Sequence, residues 1–335
     1  MALRLSLFDS WVPDVIRPWE RVLEADTQAG VFCTPSWLQA WWESLGSGDL
    51  LLAVVWDADE PIAVFPACTC GDEDGLLSFL GGEDVTDEQV PVAVPGKEAD
   101  ALRFFLDWAF TDGGFSRLRF HSVLGGARWL DVVEAVCERA GLRFASEQVD
   151  IAPAIALPDS FDAYLQGLSG HDRHELRRKR RRLGDLGDWH VRKAHEVGWE
   201  ADLQAFFDFH RKAPGPKADF FTPERERFFR RLAADLFLFG LARLDVLELD
   251  GEIVAATFSY DFRGTLALYN SSFRPDLAKQ APGMVLVGCL IEQSIEEGKH
   301  TFDFLRGDER YKMRFGPEPR PVYRVLMAAN PAARA

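Results

Sequence analysis

One order of elements runs through the chain twice, and its 335 residues exceed the roughly 250–300 at which a single core stops growing. The second half shows it plainly. Its apolar periodicity predicts a strand at Trp189–Ala194, helices at Trp199–Arg211 and Pro223–Leu236, and strands at Leu241–Leu249, Ile253–Phe262 and Thr265–Phe273. A helix at Met284–Glu297, a strand at Thr301–Leu305, a short helix at Asp308–Phe315 and a strand at Val322–Ala328 complete it. The first half repeats the series from a strand at Leu3–Phe8 and a helix at Pro13–Ala29 to a strand at Leu142–Val149. Thr34-Pro35 and Thr222-Pro223 each set an N-cap hydroxyl before a first-turn proline, and each opens the second helix of its half. The turns Asp57-Ala58-Asp59-Glu60 and Asp250-Gly251 likewise correspond.

Composition fits two soluble domains, with 47% hydrophobic and 27% charged residues. The opening MALRLSLFDSW is too short and too soon broken by Asp9 for a secretory signal, and no window reaches the ~18 apolar residues of a membrane span, so a cytoplasmic protein is expected. Cysteines stand at 33, 68, 70, 137 and 289. Their number is odd and they are scattered apart from the Cys68-x-Cys70 pair, which lies inside a predicted strand and reads as buried thiols rather than as half of a zinc site. No metal site is expected. There is no H-E-x-x-H, no G-x-S-x-G and no Walker A, which leaves zinc hydrolysis, serine acyl transfer and P-loop chemistry without support.

The net charge of -15 opposes polyanion binding in general. Residues His171–Leu183 are the exception, with seven Arg or Lys against two acids. Arg173, Arg177 and Arg180 share a helical face there, and Leu176 and Leu183 are the only apolar anchors, so a solvated helix with weak docking is expected.

The segment KHTFDFLRGDERYKMRFG, Lys299–Gly316, sets a predicted short buried strand, Thr301–Leu305, directly before a dense cluster of ionisable groups. Upstream, Pro282 and Gly283 open the helix PGMVLVGCLIEQSIEEG, and the amides of Gly283, Met284, Val285 and Leu286 are expected to point outward with the positive end of its dipole, as a phosphate site does. Asp303, between Phe302 and Phe304, must find a cation or rise in pKa; Arg306, Arg310 and Lys312 are the candidates. It reads equally as a buried brace and as a catalytic acid or base. Tyr311 lies among Arg310, Lys312 and Arg314, whose charge is expected to lower its pKa, and it is either an acid or a half-buried core residue. His210, beside Phe206, Phe207 and Phe209, is either packed in the core or a base near neutral pH.

Together these two C-terminal segments resemble the signature of the CelD/BcsL-like acetyltransferases, a branch of the GNAT superfamily with a BioF2-like acetyltransferase domain, related to the FemABX-like transferases. The resemblance implies an α/β (α+β) fold of tandem duplicated GNAT-like domains, each a mixed, mainly antiparallel sheet flanked by helices. Residues 1–155 would form a degenerate N-terminal copy, 156–188 a basic helical linker, and 189–335 the acyl-CoA-binding domain. It implies acetyl-CoA, or another acyl-CoA, as cofactor, held by Tyr269, Asn270 and Ser271 of one strand and by Lys279, Gln280, Gly283, Met284 and Val285 at the next helix. Of the usual glycine loop only Gly283 matches. It further implies direct attack of an acceptor amine or hydroxyl on the thioester, with His210 or Asp303 as base, Tyr311 as acid, and Arg211, Arg306 and Asp308 on the acceptor side. The acceptor would be a small molecule or saccharide, in keeping with an envelope or polysaccharide-related role. Nucleic acid enters only under the alternative, a FemABX-like aminoacyltransferase whose basic helix at 173–182 meets tRNA. A non-catalytic GNAT-like binding protein is the third reading.

Overall fold

The computed structural model describes residues 3–69, 73–194 and 198–330, apart from the side chains of residues 216 and 217; Cys70 lies outside the described residues. Two compact units form, Met1–Asp150 with Arg320–Ala335, and Ile151–Pro319.

In the first unit the chain runs through β1 (Leu3–Phe8), α1 (Pro13–Ala25), α2 (Pro35–Leu45), β2 (Leu50–Asp57), β3 (Glu60–Thr69), β4 (Leu76–Phe79), α3 (Gly82–Val85), β5 (Val92–Ala93), α4 (Glu98–Phe110), β6 (Arg117–Leu124) and α5 (Arg128–Ala140), then enters β7 (Arg143–Ala156). Helix α1 stops four residues before the predicted Ala29. Asp26, its C-cap, turns inward instead, is 1% exposed, pairs with Arg128 and accepts the Ala93 N–H at 3.0 Å. A carboxylate with such partners stabilises the break more than another helical turn would. Phe65 and Phe105 stack at 4.4 Å in the core between β3 and α4.

The second unit contains the end of β7, then α6 (Phe161–Gly167), α7 (Gly170–Gly184), β8 (Trp189–Lys193), α8 (Trp199–Arg211), α9 (Pro223–Leu238), β9 (Ala242–Leu249), β10 (Glu252–Phe262), β11 (Thr265–Phe273), α10 (Pro282–Glu296), β12 (Thr301–Asp303) and α11 (Arg310–Met313). The final strand, β13 (Glu318–Ala328), passes from this unit into the first. Helices α6, α7 and α10 cover one face of the sheet, with Leu183, Leu247, Leu266, Leu286 and Phe302 in their shared core. Aromatic rings of α8 and α9 cover the other, where Phe229 meets Phe258 edge-on at 5.5 Å.

The duplication is explicit in the sheets. Strand order β1-β2-β3-β4-β6 matches β8-β9-β10-β11-β12, and in both series three antiparallel pairings precede one parallel pairing. The expected α/β fold, a mixed sheet flanked by helices, is present.

Where each half ends differs from the expectation. Ala154, Ile155 and Ala156 at the end of β7 pair with β12, whereas Val322–Ala328 of β13 pair with β6. The last strand of each half thus completes the sheet of the other unit. Boundaries at 155 and 188 do not coincide with the compact units, and Arg320–Ala335 belongs to the first rather than the second. The segment 156–188 is no separate linker either. Leu176 and Leu183 are 8% and 0% exposed in the second unit's core, and Arg180 reaches Glu292 of α10 at 2.6 Å. Two leucines seven residues apart lie on one helical face and suffice to dock a helix when a salt bridge fixes its rotation.

Candidate active site

Strand β11 leaves its parallel neighbour early. Among the described residues the ladder to β12 consists of Thr265–Thr301, Leu266–Phe302 and Ala267–Asp303, whereas β11 continues to Phe273. On its other edge the register to β10 slips between Phe258 and Ser259, which pair with Asn270 and Leu268, so Tyr269 is the extra residue of a bulge. A bulge places two successive side chains on one side. Tyr269 meets Phe229 at 5.2 Å and Tyr260 at 5.6 Å, and Asn270 meets His210, all on the α8–α9 face.

The structure brings four of the predicted residues together around this segment. His210 Nε2 lies 3.0 Å from Asn270 Oδ1, and the Ser271 N–H donates to the same oxygen at 2.9 Å. The Ser271 side chain is the hydrogen-bond partner of the Tyr311 phenol. His210 is 0% exposed, its ring edge-on to Phe206 and Phe221. A fully buried imidazole in an aromatic wall satisfies the core reading, while its polar edge is turned to the bulge.

Tyr311 corrects the electrostatic expectation. Burial pushes its phenol above the ordinary value, Glu309 adds to the rise, and only the Ser271 hydrogen bond acts against it. The cations do not lower it, for Lys312 turns away. Its side chain is 5% exposed, and its ammonium lies 2.8 Å from Glu309 and donates to the Arg306 carbonyl at 2.6 Å.

Asp303 braces the backbone that follows it. Its Oδ1 accepts the Leu305 N–H at 2.8 Å, closing a turn in which Leu305 has φ 55°. The predicted strand to Leu305 therefore ends at Asp303. A left-handed leucine costs about 1–2 kcal/mol, and the Asp303 contact offsets part of it. Asp303 serves as a brace in this state, and its carboxylate is 8% exposed.

At the start of α10 the expected row of free amides is shorter than the sequence suggests. Met284 and Val285 both donate to the Ala281 carbonyl, at 3.0 and 3.3 Å. Ala281 caps the helix with φ 54°. A Cβ on Gly283 would stand 3.1 Å from Phe273 Cδ1, so the glycine permits close approach of α10 to β11. Lys279 is exposed, and the Gln280 N–H donates to Leu277. Arg211 is engaged by Asp208 at 2.6 Å and by Glu226. Asp308 is exposed and Arg306 half-buried.

Beyond Ala267 strand β11 parts from β12, carries the bulge at Tyr269, and at Phe273 lies against Gly283 of α10. Sequence patterns could not reveal the His210–Asn270 contact, which joins positions 60 residues apart.

Residues 170–313 match the family model described as an acetyltransferase (GNAT) domain. FemX superposes with TM-score 0.68 at 11% identity over 95% of this chain and 96% of its own. A protein of unknown function from Bacteroides thetaiotaomicron VPI-5482 gives 0.60 at 13% identity, covering 97% of this chain and all (100%) of the other. The tandem GNAT protein from the clavulanic acid biosynthesis pathway, solved without AcCoA, gives 0.55 at 11% identity, with 98% and 99% covered. No curated protein matches. Among the described residues no helix is long and apolar enough to cross a membrane. Residues 170–313 thus match the GNAT acetyltransferase domain, and the chain as a whole has the fold of tandem GNAT structures.

Proposed function

We propose that the chain is an acyl-CoA-dependent N- or O-acetyltransferase of the CelD/BcsL-like kind, working in the cytoplasm on a small or saccharide acceptor of envelope or polysaccharide type. The observation that carries this reading is the parting of β11 from β12 after the Ala267–Asp303 pair, with the Tyr311 phenol set against Ser271 on the departing segment. Acyl-CoA, when bound, supplies an acyl group activated as a thioester. Tyr269, Asn270, Ser271 and Gly283 would hold its arm, with Lys279, Gln280, Met284 and Val285 at the loop and helix start.

An acceptor N–H or O–H bond breaks, its heteroatom bonds to the acyl carbon, the C–S bond breaks, and the proton ends on sulfur. Asp303 is the base for that proton, at the mouth of the split. His210 is less suited to the role, because its Nε2 is already turned to Asn270. Tyr311 holds its proton firmly, since burial raises its pKa. It therefore stabilises the departing sulfur as a hydrogen-bond donor more than as a full acid, for a thiol has an ordinary pKa of about 8.5. Arg306 and Asp308 line the acceptor side. Arg211 belongs there only if it releases Asp208 and Glu226.

Thermal unfolding with acetyl-CoA, followed by transfer of labelled acetyl to a panel of amines and amino sugars, tests the reading. At a hundredfold excess over Kd the stabilisation should be about 2.7 kcal/mol. Absence of any stabilisation, with salt-sensitive tRNA binding instead, would replace it by an aminoacyl-tRNA-dependent transfer.

A further inference from the structure

Helix α7 is the basic element of an acidic chain, with seven Arg or Lys against two acids over His171–Leu183 in a protein of net charge -15. At 3.6 residues per turn its core leucines, Leu176 and Leu183, share one face, and His174, Arg177, Arg178, Arg181 and Arg182 fall within about 140° on the opposite one. The acid beside them is Asp185, at the C-cap. Pairing follows the same division. On the flank Arg180 reaches Glu292 at 2.6 Å and Arg173 donates to the Leu165 carbonyl at 3.2 Å. On the outer side and its edge Arg178 pairs with Glu175 at 2.5 Å, whereas Arg177, Lys179, Arg181 and Arg182 form no ion pair among the described residues. Arg314 brings a further guanidinium to the helix, 3.1 Å from Asp172. Burial lowers the Lys179 ammonium below its ordinary value, and the charges of Arg178, Arg182 and Arg314 add to the fall against the pull of Glu175. Two large apolar side chains stand at the ends of this helix. Leu186, 46% exposed, follows its C-terminus, where its N–H donates to the Leu183 carbonyl at 3.0 Å. Met313, 41% exposed, precedes Arg314 at the N-terminal end.

We propose that the outer face of α7 docks on an anionic lipid bilayer, with its arginines among the headgroups and Leu186 and Met313 at the boundary with the acyl chains. Roughly four to eight Lys or Arg on one helix suffice to hold a protein to anionic headgroups, each cation being worth about fivefold in affinity. A plane needs contact along this one helix alone, about 22 Å for its 15 residues. A nucleic acid long enough to bind tightly must also pass over the acidic remainder of the chain, which repels it. Apolar side chains at the two ends have a place at the edge of the acyl region and none against phosphates. The docking does not depend on which reaction the second unit performs.

Co-sedimentation of the full chain with lipid vesicles tests this. Vesicles containing phosphatidylglycerol should carry the chain down at low salt, vesicles of phosphatidylcholine alone should not, and binding should weaken as salt is raised. The triple variant Arg177→Gln, Arg181→Gln, Arg182→Gln should weaken partition about a hundredfold, since it removes three cations worth about fivefold each. Glutamine keeps the helix propensity of arginine, and an unchanged urea midpoint shows that the fold is intact. The double variant Leu186→Ser, Met313→Ser, at two exposed positions, should weaken partition several-fold with every charge in place. Failure of the wild-type chain to bind phosphatidylglycerol vesicles would overturn the proposal, as would equal binding by the triple variant. Binding that transfer RNA displaces and that the double variant leaves unchanged would make α7 a nucleic-acid face instead.

Discussion

The guanidinium of Arg243 closes on the carboxylate of Asp245, with Nε 2.9 and 2.7 Å from its two oxygens and both residues buried. Its other nitrogens go to Glu297, the C-cap of α10, and to Gln293 within that helix, at 3.0 and 2.7 Å. The pair ties β9 to α10. Burial pushes the Asp245 carboxyl above its ordinary range even though Arg243 pulls the other way.

Arg243→Met should therefore destabilise the chain by about 3–5 kcal/mol, because it strands a carboxylate that is 0% exposed. The double variant Arg243→Met, Asp245→Leu should recover most of that loss. Without the cation the folded-state pKa of Asp245 rises further, so the deficit shrinks as pH falls toward the unfolded value of about 3.9. Urea titrations at two pH values measure both effects. Equal destabilisation of the single and double variants would show that the ion pair is not what holds β9 to α10.

Tyr311 yields a prediction on the alkaline side. Its folded-state pKa is raised by burial, with Glu309 second, so the stability it contributes is complete below the unfolded value of about 10 and is lost as pH rises above it. Tyr164, whose hydroxyl donates to the Phe315 carbonyl at 2.9 Å, is raised by burial in the same sense. In an alkaline absorbance titration both phenols should ionise only with unfolding. Tyr311→Phe should remove one tyrosine from that late phase, and an unchanged amplitude would show that Tyr311 titrates normally. The alkaline limb of the rate profile should likewise not begin below about pH 10 on account of Tyr311.

Most elements of the fold were legible because they rest on local signals. Strand β11 and helix α8 have the predicted bounds, Thr265–Phe273 and Trp199–Arg211, because apolar spacing over nine or more residues leaves little freedom of register. Thr34 and Thr222 cap their helices as their Thr-Pro pairs indicate. The site was legible as a region and not as a set of contacts. What Asp303 braces, and whether burial or nearby charge governs Tyr311, depends on side-chain directions around the turn at Leu305, and a left-handed leucine has no sequence signature. Strand exchange at β7 and β13 was invisible for a related reason. Each strand has the pattern of its own half, and pattern does not name a partner.

Docking of the basic helix separates apolar from ionic contributions. Leu183 is 0% exposed in the core shared by α7 and α10, so Leu183→Ala should cost about 2–4 kcal/mol. Arg180 and Glu292 are 28% and 32% exposed, and Arg180→Ala should cost less than about 1 kcal/mol. Chemical denaturation of both variants measures the order. A larger loss for Arg180→Ala would return α7 to the solvated, weakly docked helix that its composition suggests.

Dissection of the chain tests the exchange of terminal strands. A fragment of residues 189–335 contains every predicted site residue, yet it lacks the end of β7 that pairs with Thr301, Phe302 and Asp303. It also loses the carbonyls of Pro153 and Ile151, which accept the Phe304 and Gly307 amides at 2.9 Å each. The turn that carries Asp303 and leads to Tyr311 would then have no neighbour on that edge, and an open strand edge invites aggregation. Residues 151–319 retain those partners and drop the strand that belongs to the other unit. We expect this fragment to unfold cooperatively in urea, and 189–335 to be insoluble or to unfold without a transition. Cooperative unfolding of 189–335 with acetyl-CoA affinity intact would mean that the β7 segment is dispensable, and that the site is built by the second half of the chain alone.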